Sequence, residues 1–166
     1  PPSPDASCFY QSFGGFEFRW ERHTEFSTYT FIRPKDDQNT VQDFGLAFIP
    51  KDWLNQLPGD LVVAINMVVE NQGDAEMDEA LYFEGQRPVG SHVANGKAKV
   101  LTSFRLHSDA FGRFLVQNKG LNPSQTGRLI QRLLELETYR LMALMGLPVA
   151  RSLSGEVSRM ESHLAE

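Results

Sequence analysis

The sequence predicts an α+β fold: a mostly antiparallel sheet of five to seven strands, a short crossover helix and a long C-terminal helical hairpin. Aromatic and β-branched residues alternate with polar ones, between turn residues, from Phe9 to Asn118. At Asn122 the apolar period changes to that of a helix. We therefore predict a sheet domain over residues 1–121. Residues 122–166 are predicted to form a helical part that packs on the sheet or extends from it.

Several runs between turn signals predict the strands. Glu25–Ile32, "EFSTYTFI", is rich in β-branched and aromatic residues, and Leu61–Glu70, "LVVAINMVVE", is so apolar that we expect it at the centre of the sheet. Ala80–Gly85 predicts a short strand. Asn95-Gly96 separates two alternating runs and predicts a hairpin, because both turn positions need positive φ. By composition, Arg33–Thr40 is a loop.

Helix signals occur twice. Pro50 suits the first position of a short helix that ends at Leu57-Pro58-Gly59. A long helix begins with Asn122 as N-cap and Pro123 at its first position, and Gly146 followed by Pro148 predicts its end. A second helix, cut short by the end of the chain, is predicted from apolar residues at helical spacing: Val149, Leu153, Val157, Met160 and Leu164. This last stretch favours an arm that continues toward partner helices or the membrane.

Charge and chain ends restrict the function classes. The net charge of -5 argues against a nucleic-acid binder and against a polybasic membrane-surface module. One cysteine, Cys8, excludes an intramolecular disulfide. The start "PPSPDAS" and the end "SRMESHLAE" lack an initiator Met and a helix stop, so we expect an excised piece of a longer protein.

The first candidate site is Glu21-x-His23-x-Glu25. In one continuous strand alternate residues share a face, so the three side chains would line up. An imidazole between two carboxylates can bind zinc or act as a general base. If the chain instead turns at Arg22–Thr24, no such row forms, and the residues belong to a polar sheet face with cross-strand ion pairs.

The second candidate is the pair Glu137 and Arg140, which the helical period places in the middle of an apolar arc. Buried charges need partners, because desolvating a lone ion is costly. They pair with each other, or they reach sheet charges among Arg19, Glu21, His23 and Glu25. Arg140 as the site of an anionic ligand is a further alternative. Another is that the arc is covered by a part of the protein outside this sequence.

Three stretches resemble one bacterial family: "WERHTEFSTYTF" (20–31), "LPGDLVVAI" (57–65) and "GRLIQRLLELETYRLMALMGLPVAR" (127–151). Its members are described only as predicted membrane-anchored proteins with a domain of unknown function. They continue after this region as helices into apolar segments. The resemblance implies a soluble region of a membrane-anchored parent protein, on the cytoplasmic side, and brings no activity, cofactor or catalytic residue.

No catalytic residue, metal or cofactor is therefore assigned from the sequence. We predict a non-catalytic domain that acts in sensing, assembly or partner binding, with Glu21, His23, Glu25, Glu137 and Arg140 as candidate binding residues. A protein partner or self-association through the C-terminal helices, and membrane attachment through parts of the parent chain outside this sequence, complete the prediction. The alternative is a metal-dependent hydrolase or ligand-binding enzyme that uses His23 with Glu21 and Glu25.

Overall fold

A computed structural model describes residues 3, 5–34, 49–74 and 76–164. The predicted loop Arg33–Thr40 lies outside the described residues from position 35 onward. The chain forms two compact units, Pro1–Gln42 and Asp43–Glu166. The fold is α+β, as predicted, but the strands form two sheets instead of one.

The first unit contains a three-stranded antiparallel sheet, with the strands in chain order: β1 (Cys8–Ser12), β2 (Glu17–Arg22) and β3 (Ser27–Ile32). Two tight turns connect them. Phe13 N–H donates to Phe16 O at 2.9 Å across the first turn, where Gly14 has a φ of 76°. His23 N–H donates to Phe26 O at 2.8 Å across the second. The Gly14-Gly15 pair thus serves a hairpin turn, which needs positive φ.

One face of this sheet is aromatic. Trp20 lies opposite both Phe9 and Tyr29, and Phe18 lies opposite Phe31 with ring centroids 5.2 Å apart. Since cross-strand partners share a face, these five rings lie on the same side of the sheet. The cross-strand aromatic contacts explain why a run so rich in charges still forms strands.

The second unit combines, in its described residues, a four-stranded sheet with three helices. Its elements are α1 (Lys51–Asn55), β4 (Ile65–Glu70), α2 (Glu79–Tyr82), β5 (Val89–Val93), β6 (Ala98–Leu106), β7 (Gly112–Asn118) and α3 (Pro123–Leu164). The strand order is β4-β7-β6-β5; β4 runs parallel to β7, and the other pairs are antiparallel. The predicted boundary at 121/122 coincides with the start of α3, inside this unit.

The predicted hairpin at Asn95-Gly96 is confirmed. It joins β5 to β6, with φ of 56° and 81° at the two positions. The predicted central position of Leu61–Glu70 is wrong, because β4 is an edge strand in the described part of the sheet. Its apolar run has another cause: Val68 packs on the α2 side, and Met67 and Val69 pack on the other side. Both faces of β4 are covered, as is usual for a parallel strand.

The predicted strand at Ala80–Gly85 is wrong; the segment begins with helix α2. Asp78 caps this helix, and its Oδ1 accepts a hydrogen bond from Leu81 N–H at 3.1 Å. The cap satisfies a backbone donor that would otherwise lack a partner, so it favours a helical turn over an extended run. The turn buries Tyr82 and Phe83 completely.

The predicted helical hairpin is also wrong, because α3 is one continuous helix with Pro148 inside it. Gly146 does not adopt the positive φ of a C-terminal cap. Pro148 removes one backbone hydrogen bond, which costs about 3 kcal/mol in a helix interior. The residues around it are exposed, so water can bind the released carbonyl.

Two apolar clusters sandwich the sheet of the second unit. On one face Tyr82 and Phe83 pack with Val68, Leu101 and Leu115. On the other, Leu129 and Leu133 of α3 pack against a cluster formed by Val100, Phe114 and Val116. The first part of α3 is therefore the cover of one sheet face.

Candidate functional site

The first predicted site lies at the end of the β2–β3 hairpin. The chain turns at His23–Phe26, so the row that requires one continuous strand does not form. Glu21 accepts a hydrogen bond from Arg19 at 2.7 Å, and the ring of His23 packs on Phe26 with centroids 4.6 Å apart. Glu25 lies exposed in the turn. A binding role for Glu21, His23 and Glu25 stays a prediction, without the shared strand face that motivated it.

Within residues 3, 5–34, 49–74 and 76–164, no three His, Cys, Asp or Glu side chains converge in a way that would hold a metal ion. The hydrolase alternative therefore gains no ligand set from the described part of the chain. If His23 instead acts as a general base without a metal, its imidazole must lie beside the group that reacts.

The second predicted pair, Glu137 and Arg140, is joined on α3. Arg140 donates to both carboxylate oxygens of Glu137, each at 2.7 Å. The Glu137 side chain is only 4% exposed, whereas that of Arg140 is 31% exposed. This geometry agrees with the expectation that the two charges pair with each other, and a bidentate pair is the strong form of such a contact.

Arg140 also lies over the ring of Phe104, 5.4 Å from its centroid, so the helix contacts the end of β6. The hydrogen bonds to Glu137 raise the pKa of Arg140 above its ordinary value. Arg140 therefore remains charged while it joins α3 to the sheet. An anionic ligand at Arg140 stays a prediction.

A third cluster was not predicted from the sequence. It lies where α2 meets the turn between β6 and β7, and it contains Ser103, Glu84, His107, Ser108, Asp109 and Arg113. The ring of His107 is fully buried, and its Nε2 lies 3.0 Å from Ser103 Oγ. Its Nδ1 lies 3.6 Å from Glu84 Oε2, beyond hydrogen-bond distance.

Glu84 is the hub of this cluster. It accepts hydrogen bonds from Ser108 N–H at 2.9 Å, from Ser108 Oγ–H at 2.6 Å and from Arg113 at 2.8 Å. These bonds, those from Ser108 foremost, lower the pKa of Glu84 to about 2. Arg113 also donates to Asp109 and to the backbone oxygen of Tyr82. The cluster thereby ties α2 to both strands.

The surroundings of His107 favour its neutral form. Burial, followed by the charge of Arg113, lowers the pKa of its imidazole. A neutral ring beside a hydroxyl can accept the hydroxyl proton, which is the first step of serine catalysis. A triad would also need a hydrogen bond between Glu84 and the Nδ1 of His107. That bond is not formed, because both oxygens of Glu84 accept hydrogen bonds from Ser108 and Arg113.

Sequence reasoning missed this cluster because its members are far apart along the chain. Glu84 lies between α2 and β5, and Arg113 is in β7. The one local signal was the turn after His107, where Ala110 has a φ of 65° and Asp109 accepts from Phe111 N–H at 3.0 Å. Such a turn predicts that two strands are connected here, but nothing in its sequence predicts that Glu84 binds Ser108 and Arg113.

The last part of α3, residues 143–164, is exposed on all sides wherever its side chains are described; we call it the arm. Its apolar side chains Leu153, Val157, Met160 and Leu164 are between 53% and 88% exposed. They belong to an uninterrupted alternation of three and four residues, here called the heptad seam: Leu136, Tyr139, Ala143, Gly146, Ala150, Leu153, Val157, Met160 and Leu164. Such a pattern is typical of a helix that pairs with another helix.

Comparisons with known proteins identify a family and no function. A family model described as "Protein of unknown function (DUF3422)" matches residues 1–166, the whole chain. Neither the curated proteins nor the solved structures contain a match. No helix in the described residues has the length and apolar character needed to cross a membrane.

Proposed function

The chain belongs to this family of unknown function, DUF3422, and we propose that it is an association module whose arm binds a partner helix. The observation that carries the proposal is the heptad seam, whose members are all exposed between Leu136 and Leu164. Monomeric proteins seldom expose so long an apolar stripe without using it. A partner helix would remove these side chains from water. Burial of apolar surface stabilises such a complex by about 25 cal/mol per Å².

The rest of the second unit supports the arm. The bidentate pair of Glu137 with Arg140, together with Leu129 and Leu133, fixes the first part of α3 on the sheet. A helix held at one end presents the seam of its other end in a defined direction. Less conformational entropy is then lost when a partner binds.

The proposal includes the setting of the module. We place it in a membrane-anchored bacterial protein, on the cytoplasmic side of the membrane, with sensing or assembly as its role. The support is the resemblance of residues 20–31, 57–65 and 127–151 to proteins of that description. The arm then connects the sheet of the second unit to the partner helix.

Cysteine labelling in cells tests the association. The background is Cys8→Ser, since Cys8 is exposed. Leu153→Cys places a thiol on the seam, and Ser162→Cys places one on the opposite side of the same helix. We expect a membrane-permeant maleimide to label position 153 at least about tenfold more slowly than position 162 in the full-length protein.

The same two variants under denaturing conditions provide the control. Both thiols should then react at one rate, because no partner covers either. Equal rates in intact cells would contradict the proposal.

A second candidate function rests on one distance, the 3.0 Å between His107 Nε2 and Ser103 Oγ. In this alternative Ser103 Oγ attacks an ester carbonyl while His107 takes its proton; the ester C–O bond then breaks, His107 returns the proton to the leaving alkoxide, and water later hydrolyses the acyl-Ser103. It gives the hydrolase hypothesis a residue pair other than His23 with Glu21 and Glu25. The contacts of Glu84 favour the structural role instead, since its oxygens are already occupied.

A fluorophosphonate probe separates the two roles. A nucleophilic Ser103 forms an O–P bond to the probe and displaces fluoride, so the protein gains the mass of the phosphonyl group. Ser103→Ala abolishes this adduct. A structural cluster leaves Ser103 unmodified, while Ser103→Ala lowers the thermal midpoint. The adduct is located by mass spectrometry of the peptide that contains Ser103.

A further inference from the structure

We infer that the partner helix is the arm of a second copy of this chain, paired in the antiparallel direction; the inference rests on the proposed function. The seam has an unequal distribution of sizes. Within the arm, its first three members are Ala143, Gly146 and Ala150, and its last four are Leu153, Val157, Met160 and Leu164. In an antiparallel pair of two such helices, the small residues of one copy lie opposite the large residues of the other.

One antiparallel register matches every small residue with a large one. The seam alternates between heptad positions a and d, starting with Leu136 at a and Tyr139 at d. In an antiparallel pair each layer joins an a position of one helix to a d position of the other. With Ala150 opposite Leu153 of the second copy, Gly146 lies opposite Val157, and Ala143 lies opposite Met160. Two-fold symmetry repeats each layer. The small side chains leave the room that the large ones fill, as close packing requires.

The overlap extends along the whole arm. In this register Leu164 of one copy meets Tyr139 of the other, so the paired region is roughly 39 Å long at 1.5 Å per residue. Leu136 and Tyr139 are 60% and 59% exposed, so a second helix can contact both side chains. The paired region is thus longer than the roughly 12–15 residues below which even an isolated helix is marginal in water.

The flanking charges agree with the register. Arg140 and Glu161 occupy equivalent flanking positions beside the seam, and the antiparallel register places them next to each other between the copies. Symmetry yields two such ion pairs. The guanidinium of Arg140 is 31% exposed and has donors beyond those that bind Glu137.

A parallel pair is disfavoured on both counts. It would align Gly146 with Gly146 and Ala150 with Ala150, which leaves the middle of the interface poorly filled. It would also place Glu156 beside Glu161 of the other copy, where the like charges repel. This repulsion offsets the attraction between Glu135 and Arg140 of the other copy, so a parallel pair gains no net stabilisation from these charges. Size and charge therefore select the same direction.

Sedimentation equilibrium of the 166-residue chain tests self-association. We expect a particle of twice the 18.7 kDa chain mass at micromolar concentration. Val157→Glu puts a charge into the seam opposite Gly146, and we expect it to raise the dissociation constant more than about tenfold. The matched variant Ser158→Glu adds the same charge outside the seam and should leave the dimer intact. A wild-type chain that remains monomeric overturns the inference.

Disulfide trapping tests the direction. In the Cys8→Ser background, Ala143→Cys and Met160→Cys chains are prepared separately and then mixed. The antiparallel pair predicts a crosslinked dimer only in the mixture, since the two thiols at position 143 would be roughly 25 Å apart in a dimer of the Ala143→Cys chain alone. Crosslinking of the Ala143→Cys chain with itself indicates the parallel pair and overturns the inference.

The results distinguish this inference from the proposed function. A monomeric chain whose residue 153 is still protected in cells has another partner helix, so only the inference fails. Equal labelling of positions 153 and 162 in cells, with a monomer in solution, makes both fail.

Discussion

The two parts of α3 are one helix in two environments. The docked part, residues 123–142, contributes Leu129 and Leu133 to the core and buries Glu137. The arm, residues 143–164, buries none of its described side chains. Both parts carry apolar residues at helical spacing, so the periodicity alone does not reveal which stripe faces the sheet.

The two parts of α3 differ in what stabilises them as a helix. The docked part is stabilised by its contacts with the sheet, whereas the arm contains Pro148 and two glycines, which weaken a helix. Most helical stability in proteins comes from packing, so the arm gains the most from a partner. Substitutions in the two parts should therefore have very different effects.

The largest effect is expected from Arg140→Ala. It leaves the Glu137 carboxylate buried without its counter-ion, which should lower the free energy of unfolding by about 3 kcal/mol. Urea denaturation followed by tryptophan fluorescence measures the change.

The double variant Glu137→Leu/Arg140→Leu serves as its control. It removes both charges and should recover most of the loss, because no buried ion remains unpaired. A single variant as stable as the wild type would mean that water already solvates Glu137.

Leu133→Ala should have the next largest effect, a loss of about 2 kcal/mol, because Leu133 is half-buried against the sheet cluster. The same denaturation experiment measures it. Leu136→Ala, on the exposed side of the same helix, is the matched control and should cost much less when both variants are measured at a protein concentration too low for association. If the two were equal, the docked side of α3 would have been assigned wrongly.

Acid should lower the stability of the second unit, on whose sheet the docked part of α3 packs. The folded pKa of Glu84 is about 2, below its ordinary 4.5, so its contribution is present above pH 4.5 and is lost as pH falls toward 2. The effect should be smaller than that of Leu133→Ala, since a third of the side chain is exposed. Thermal midpoints at pH 6 and pH 3.5 measure it, and Glu84→Gln should show a smaller difference between them.

Leu153→Ala should have the smallest effect on the folded monomer, less than about 0.5 kcal/mol. Leu153 is exposed on the arm and supports no core. Denaturation at a protein concentration too low for association measures this value. A loss similar to that of Leu133→Ala would show that the arm packs on its own chain.

Several elements were predictable because their signals are local. The Asn95-Gly96 hairpin and the start of α3, where Asn122 Oδ1 accepts from Gln125 N–H at 2.9 Å, depend on turn and cap chemistry within a few residues. The pairing of Glu137 with Arg140 was one of the alternatives that their spacing on one helix allowed. Asp78 was an equally local signal for α2, but the apolar run after it was interpreted as a strand.

The residues along the chain were enough to predict the α+β class, most of the strand-forming runs, the long helix and the need of Glu137 and Arg140 for partners. The edge position of β4, the contact of Glu84 with Arg113 and the continuation of α3 past Gly146 and Pro148 became known only from the folded chain. The physical reason is the range of the forces. Periodicity, caps and turns act over a few residues, whereas strand order, distant ion pairs and the exposure of a helix depend on which surfaces are brought together in the fold.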